Sequence, residues 1–484
     1  MKNEHQLRST TLERALLALF LLSLPLVNPW VRGDGVGYYA YARAPLIEHN
    51  LDFTRDYQSA NESFRELNLD KNGMPRPEMR TPTGHLTNHF TVGPAILWSP
   101  FLLVAHGGVL LARSLGASVA ADGFSPPYRY AMAAGTAIYG FLGLLLAFRL
   151  ASKYAKPLWA FLATLAIWGA SSLPVYMYFN PSWSHAHSAF AVALFLWYWD
   201  RTRERRTTAE WLLLGLITSL MLNVYYANVM VVTVVVVEAC WSYADIFRAP
   251  VREVQPVLSL LVRQVLFGVI VCAGLLPTFI SRSIVYGGPF ETGYVSIRDF
   301  LWNSPMFFEV LFSANHGLLS WTPVVLFSLL GLFLFAQRIP RVGVPLLIAT
   351  VAFYLFFTLY PDWAGISSYG NRFFISLTTI FVLGLGVTLE TFAGLFLVQR
   401  RALVFSSAIL GCFVVWNLGM IYQWGTHLIP ARGPISFSQV AYNQVHAVPQ
   451  QITSHLRSYL FRRSELMQQI EQKDLEQMKK NAEP

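Results

Sequence analysis

The sequence predicts an all-α, polytopic integral membrane protein of about eleven transmembrane helices (range 10–12), with juxtamembrane helices in its first external loop. Three observations predict it. Of 484 residues, 54% are hydrophobic and only 13% charged, against about a quarter charged in soluble domains. Apolar runs of roughly 17 to 25 residues recur from end to end, long enough to cross the hydrocarbon, whereas the shorter alternating segments of a β-barrel are not found. The basic residues gather at the ends of these runs: Arg149/Lys153/Lys156, Arg201/Arg203/Arg205/Arg206, Arg248/Arg252/Arg263, Arg338/Arg341 and Arg400/Arg401. That is the positive-inside pattern, and it removes the nucleic-acid reading that a net charge of +9 invites.

The first run, Leu16 to Val31, follows Lys2, Arg8 and Arg14 and resembles a signal peptide. No small-residue cleavage site follows, and Pro25, Pro29 and Trp30 close it, so it is expected to be a first span with a cytoplasmic N-terminus. With every basic cluster inside, residues 32 to about 90 lie outside. The run 93–115 cannot cross without reversing the clusters after it. Gly93-Pro94, Pro100, His106 and Gly107-Gly108 also make it a poor continuous span, so it is expected to lie in or dip into the outer leaflet. The remaining spans are expected near 128–150, 157–178, 185–200, 210–225, 227–245, 264–282, 316–336, 342–360, 373–395 and 402–424. Residues 1–425 then form the transmembrane domain, with 32–127 as its first external loop, and 426–484 an external helical tail. The tail turns rich in Glu, Gln and Lys; Leu456, Tyr459 and Leu460 suit a membrane surface, and Lys473 to Pro484 is expected to be frayed and solvated. Cys240, Cys272 and Cys412 all sit in apolar runs and are expected to be buried small residues, neither disulfides nor a metal cluster.

Polar residues that resist this background collect at one boundary. The first external loop carries Asp34 in Arg32-Gly-Asp34-Gly-Val-Gly-Tyr38-Tyr39, then Glu48, Asp52 and Asp56, then Arg80-Thr-Pro-Thr-Gly84-His85-Leu-Thr-Asn88-His89-Phe90. Asn180-Pro-Ser-Trp183-Ser-His185-Ala-His187 straddles an outer span end; Ser313-Ala-Asn315-His316 and Asp362 to Phe373 fall at the same level. An acidic residue just outside the bilayer, in a glycine-loosened turn, suits a base; it also suits an ordinary turn or N-cap aspartate. His185 and His187, two apart on a helix, point about 160° away from one another, so one pocket takes only one of them. Arg372, opening a span behind Asn371, either snorkels or pairs with an anion, and a guanidinium fork matches a phosphate. Tyr38, Tyr39 and Trp98 fit an aromatic belt better than a sugar platform. The His and carboxylate spacings match no metal motif.

The order of these pieces resembles the GT-C superfamily of membrane glycosyltransferases. In layout it is similar to the bacterial relatives of protein O-mannosyltransferases and of the lipid A aminoarabinose transferase. The resemblance covers about residues 10 to 425 and rests on a first span followed by Gly33-Asp34-Gly-Val-Gly-Tyr-Tyr39, the loop with Gly93-Pro94-Ala-Ile-Leu-Trp-Ser-Pro100, and the late Tyr369-Gly-Asn-Arg372-Phe-Phe. It implies that Asp34 is the catalytic base or positions the acceptor. The family often places a second acid beside it, where this chain has glycine, valine and tyrosine. That departure disfavours a divalent metal and leaves Asp52 or Asp56 as more distant supporting acids. The resemblance further implies a polyprenyl-phosphate sugar donor at the periplasmic face of a bacterial inner membrane. Transfer to an acceptor hydroxyl would proceed with inversion, and Arg372, His89, Arg80, His185 and Asn371 would receive the departing phosphate. The acceptor is a glycan, a lipid or a protein; lysine-poor external loops lean toward the first two. Two rivals stand beside this reading. A lipid-linked-sugar flippase needs polar residues deep in the spans, where Asn223 and Asn228 are the best examples. A polysaccharide ligase or polymerase needs a large late external loop, whereas here the largest loop before the tail comes first.

Overall fold

In the computed structural model, which describes residues 2–249 and 254–482, the chain is helical throughout, with only isolated bridges at Leu69–Pro75 and Arg80–Leu86. The principal helices are α1 (Lys2–Ser23), α2 (Asp34–Arg43), α3 (Gly93–Ser114), α4 (Pro126–Tyr154), α5 (Pro157–Gly169), α6 (His185–Thr202), α7 (Thr208–Val224) and α8 (Thr233–Arg248). They continue with α9 (Val254–Gly274), α10 (Leu276–Tyr286), α11 (Val324–Arg338), α12 (Pro340–Leu359), α13 (Thr378–Ala393), α14 (Gln399–Gly425) and α15 (Arg463–Ala482). Among the described residues, eight helices are long and apolar enough to cross a bilayer, and three shorter apolar helices, α5, α7 and α11, accompany them. The protein is a polytopic helical membrane protein. Its perimeter leaves apolar surface bare, as along α9, which buries none of its apolar window. The segment Arg372–Ala393 is its opposite: apolar, 89% buried, and packed against α4, α5 and α11 as the central helix.

Each of the eleven expected spans is a helix or a broken pair of helices. The span expected at 157–178 stops at Gly169, where Asn417 on α14 donates Nδ2 to the carbonyls of Gly169 and Ser171, both at 2.9 Å. Those bonds satisfy the carbonyls that an ending helix orphans. Residues 210–245 form two helices, α7 and α8, with a 3-10 turn over Tyr226–Val232 between them. The helix α3 is continuous for 22 residues, about 33 Å at 1.5 Å per residue. Pro94 falls in the first turn, where no intrahelical N–H is required, whereas Pro100 lies inside the helix, which runs on past it.

Both ends of α3 meet the same end of the bundle. At its start, Thr91 donates to the Val224 carbonyl at 2.7 Å, and Gly93 is pressed onto the backbone of Asn223 and Val224. Along its length Trp98 bonds Thr136 in α4, His106 then bonds Tyr128 nearer the start of α4, and Arg113 faces a cavity with Ile47 and Arg55 of the first loop. The helix runs alongside α4, antiparallel to it.

Two expectations are corrected. Cys240, Cys272 and Cys412 are free and exposed, because they lie on outward faces of helices whose apolar surroundings are lipid-directed. The tail beyond Lys473 does not fray: α15 is helical to Ala482, because Glu471 accepts from Asn61 Nδ2 (2.9 Å) and Ser63 N (2.6 Å) and Asp474 accepts from Arg32 (2.6 Å). Pro484 and Arg252 lie outside the described residues.

Candidate functional site

The segment between α1 and α2 is fixed from below by the turn 175–185. Asn28 N donates to the Tyr178 carbonyl at 2.7 Å, and Trp183 Nε1 donates to the Arg32 carbonyl at 3.0 Å. Gly33 turns the chain with φ +53°, and Asp34 is the first residue of α2. It is therefore not in a loose turn: it opens a helix, where the N-terminal dipole favours a carboxylate. A Cβ on Gly35 would overlap Ser182 Oγ, so only glycine lets the helix start press onto this turn.

Arg372 arrives from the opposite side of the sequence. The loop from Tyr360 to Asn371 ends in the tight turn Arg372–Leu377 that starts the central helix. His316 clasps that loop, donating Nδ1 to the Ala364 carbonyl at 2.7 Å from a backbone at φ +61°. Arg372 Nη1 donates to Asp34 Oδ2 at 2.8 Å. The guanidinium lies 4.3 Å over the Trp183 ring and 5.5 Å from that of Phe373. Its side chain is 10% exposed, that of Asp34 32%, and Arg372 Nε has no partner. Trp183 thus joins the two halves, its N–H holding the Asp34 segment and its face carrying the arginine.

Around this pair stand aromatic rings and uncommitted polar atoms. The His185 ring lies 4.8 Å from Tyr176, 5.8 Å from Tyr225 and 6.4 Å from Phe373, and its Nδ1 is buried without a partner. His187 faces elsewhere, toward Trp98 and Tyr139, as two-residue spacing on a helix requires. Asn371 donates Nδ2 to the Trp363 carbonyl and leaves Oδ1 buried and unpaired. His89 packs between Phe90 and Tyr294, at 4.2 and 4.8 Å between centroids. Burial lowers its imidazole pKa, with the charge of Asp34 pulling the other way, so His89 offers a neutral hydrogen-bonding ring.

The other acids and Arg80 have different partners. Arg43, with no exposed side chain, donates Nε and Nη2 to Asp56 at 2.7 and 2.6 Å, and Nη1 to Glu48 at 2.9 Å. It ends the helix that Asp34 begins, about 13 Å along the axis. Burial pushes the Asp56 carboxyl up to about 6 against the pull of Arg43, and at neutral pH the pair is ionised. Asp52 is exposed and caps a turn through Thr54, while Arg80 is exposed and bonds the Gly84 carbonyl at 2.8 Å.

Arg282, which no sequence motif marks, holds the loop that bears His89. Buried to 1% exposure, it donates to the carbonyls of Asn88 (3.1 Å), His89 (2.7 Å) and Phe90 (2.9 Å) and to Tyr226 OH (2.8 Å). An arginine at the end of an apolar run was the available signal, the same one that marked Arg372.

A cavity of about 590 Å³ opens beside Gly33 and Trp183, walled by Asn61, Phe64, Ser367 and Trp424 and roofed by α15. Asp474 on that roof joins Arg32 and His427, the latter at 2.8 Å. Among the described residues, no three His, Cys, Asp or Glu side chains come together as a metal site would need.

No family model and no curated protein matches the chain. Among solved structures it is similar in overall shape to the crystal structure of ArnT from Cupriavidus metallidurans bound to undecaprenyl phosphate. The identity is 13% and the TM-score 0.47, covering 90% of this chain and 74% of that one. The apo structure of the same protein gives 12% identity, a TM-score of 0.46 and the same coverage.

Proposed function

We propose that this protein is a membrane glycosyltransferase that moves a sugar from a polyprenyl-phosphate donor to an acceptor hydroxyl at the periplasmic face of a bacterial inner membrane. The observation that carries the reading is the Asp34–Arg372 pair, a carboxylate and a guanidinium 2.8 Å apart at the loop-bearing end of the bundle. A lone base or a lone anion site has many uses; the two together match this chemistry. Asp34 takes the proton of the acceptor hydroxyl, whose oxygen attacks the anomeric carbon from the face opposite the phosphate. The bond from that carbon to the phosphate oxygen breaks, and the lipid phosphate leaves as a stable anion that needs no protonation. Arg372 meets the developing charge, with Asn371, His89 and His185 in reach of it as hydrogen-bonding groups. The acceptor approaches from water through the cavity beside Gly33 and Trp183, and the donor tail lies against the lipid-facing helices. The lysine-poor external loops support a glycan or lipid acceptor.

The flippase rival loses its best residues. Asn223 bonds the carbonyls of Ser219 and Gly274 and accepts from Thr278; Asn228 bonds Ser188 and the Met221 carbonyl. Both are interhelical ties. The test is sugar transfer or release from a panel of radiolabelled polyprenyl-phosphate sugars by purified wild type, Asp34→Asn and Arg372→Ala. Turnover by wild type and its loss in Asp34→Asn are expected. No turnover of any donor, with movement of lipid-linked sugar across liposomes regardless of Asp34, would replace the transferase by a flippase.

A further inference from the structure

Asp34 and Arg372 are assigned to different substrates, yet here they hold one another. The guanidinium has one hydrogen-bonded partner, the Asp34 carboxylate, and its remaining surface is stacked on Trp183 or left with Nε unpaired. Nothing else anionic among the described residues bonds it. A carboxylate oxygen therefore occupies a position on Arg372 that a phosphate oxygen would take, and the proton acceptor is spent on a cation. One contact thus engages both groups at once, the cation and the proton acceptor.

We propose that the donor's lipid phosphate and Asp34 compete for the Arg372 guanidinium, so that donor binding is what releases the carboxylate to act on the acceptor. This rests on the glycosyltransferase reading and adds an order to it: the donor binds first, then the acceptor. The Trp183 ring and the Phe373 ring hold the guanidinium plane in place while its partner is exchanged. Asp34, 32% exposed at the tip of α2, needs only a side-chain rotation to leave. A phosphate presents two or more anionic oxygens to a fork that Asp34 engages through a single nitrogen, so the exchange favours the ligand. The device also keeps water from being activated when no donor is bound, because the base is then committed.

The competition makes a prediction that runs against ordinary active-site expectation. Removing the carboxylate should tighten donor-lipid binding. If the latch is closed in about nine molecules of ten, the apparent dissociation constant is about tenfold weaker than for the open site. The experiment measures binding of undecaprenyl phosphate to the full-length protein in nanodiscs, for wild type, Asp34→Asn, Arg372→Ala and the double variant. Asp34→Asn is expected to bind about tenfold tighter than wild type, and the gain to vanish when Arg372 is absent. Where Arg372→Ala proteins bind no lipid at all, Arg372→Gln, which keeps hydrogen-bond donors but no charge to hold Asp34, takes its place in the single and double variants. An unchanged or weaker affinity in Asp34→Asn overturns the latch, as does a gain of equal size without Arg372, which is plain repulsion by a nearby carboxylate. Those outcomes leave the transferase reading standing. Failure of both wild type and Asp34→Asn to bind the lipid phosphate overturns that reading as well.

Discussion

Replacing Arg282 by methionine tests how the loop bearing His89 is held. The side chain is buried to 1% exposure and donates to three successive carbonyls, Asn88, His89 and Phe90, at 3.1, 2.7 and 2.9 Å, and to Tyr226 OH. Its guanidinium also sits 5.7 and 5.4 Å from the Tyr226 and Tyr286 rings. Methionine keeps much of the apolar stem and removes every donor. A bond from a charged group contributes about 1.5–3 kcal/mol, and a buried acceptor left bare costs about 1–3 kcal/mol. The loop lies at the water boundary and relaxes, so roughly 3 kcal/mol of local opening energy should be lost, equivalent to about a hundredfold larger open population. The assay is amide hydrogen exchange of residues 85–92 in nanodiscs, read at Asn88, whose N–H is donated to Tyr286 OH at 3.1 Å. Exchange about a hundredfold faster in Arg282→Met, with Arg282→Lys between it and wild type, is expected. Unchanged exchange would refute the idea that this arginine holds the loop.

Gly35→Ala should abolish turnover while the protein still inserts, because the new Cβ would overlap Ser182 Oγ and push Asp34 off Arg372; Ser182→Gly in the same chain should restore part of the activity, measured as sugar release. Asp56→Ala should destabilise by about 3–5 kcal/mol by stranding the buried Arg43, whereas Asp52→Ala, on an exposed turn, should change stability by less than about 1 kcal/mol; parallel unfolding of the two variants separates them. At Asp474, burial raises the carboxyl pKa, but the His427 hydrogen bond and the Arg32 charge outweigh it and hold the group below its usual value. A carboxyl depressed in the folded state contributes stability above its unfolded pKa and loses it as pH falls through the folded one. So α15 should stay docked from pH 7 to 5 and loosen only below about pH 4, while Asp474→Asn loosens it at every pH, as read by exchange of residues 463–482.

The apolar segments, and the out-of-place polarity of Asp34 and Arg372, were legible in the sequence because hydropathy, charge bias and polarity are local properties. An apolar run needs no knowledge of its neighbours to prefer lipid, and an arginine opening such a run is anomalous wherever it packs. Charge bias led to the expectation that residues 93–115 lie in or dip into the outer leaflet, but the helix's continuity through Pro100 and its seat on Val224 and Tyr128 were not visible, since they depend on what lies beside it. Partner choice was likewise decided by packing. Asp34 and Arg372 are 338 positions apart, and Asp56 looks like their equal in sequence until Arg43 claims it. Arg282 went unread because its carbonyl partners come from a loop nearly two hundred residues earlier. The exposure of the three cysteines and the docking of α15 were settled the same way. Local composition selects which segments are buried in lipid; only the closed tertiary structure determines which charge meets which, because each buried ion takes whichever counter-ion the packing brings within hydrogen-bond reach.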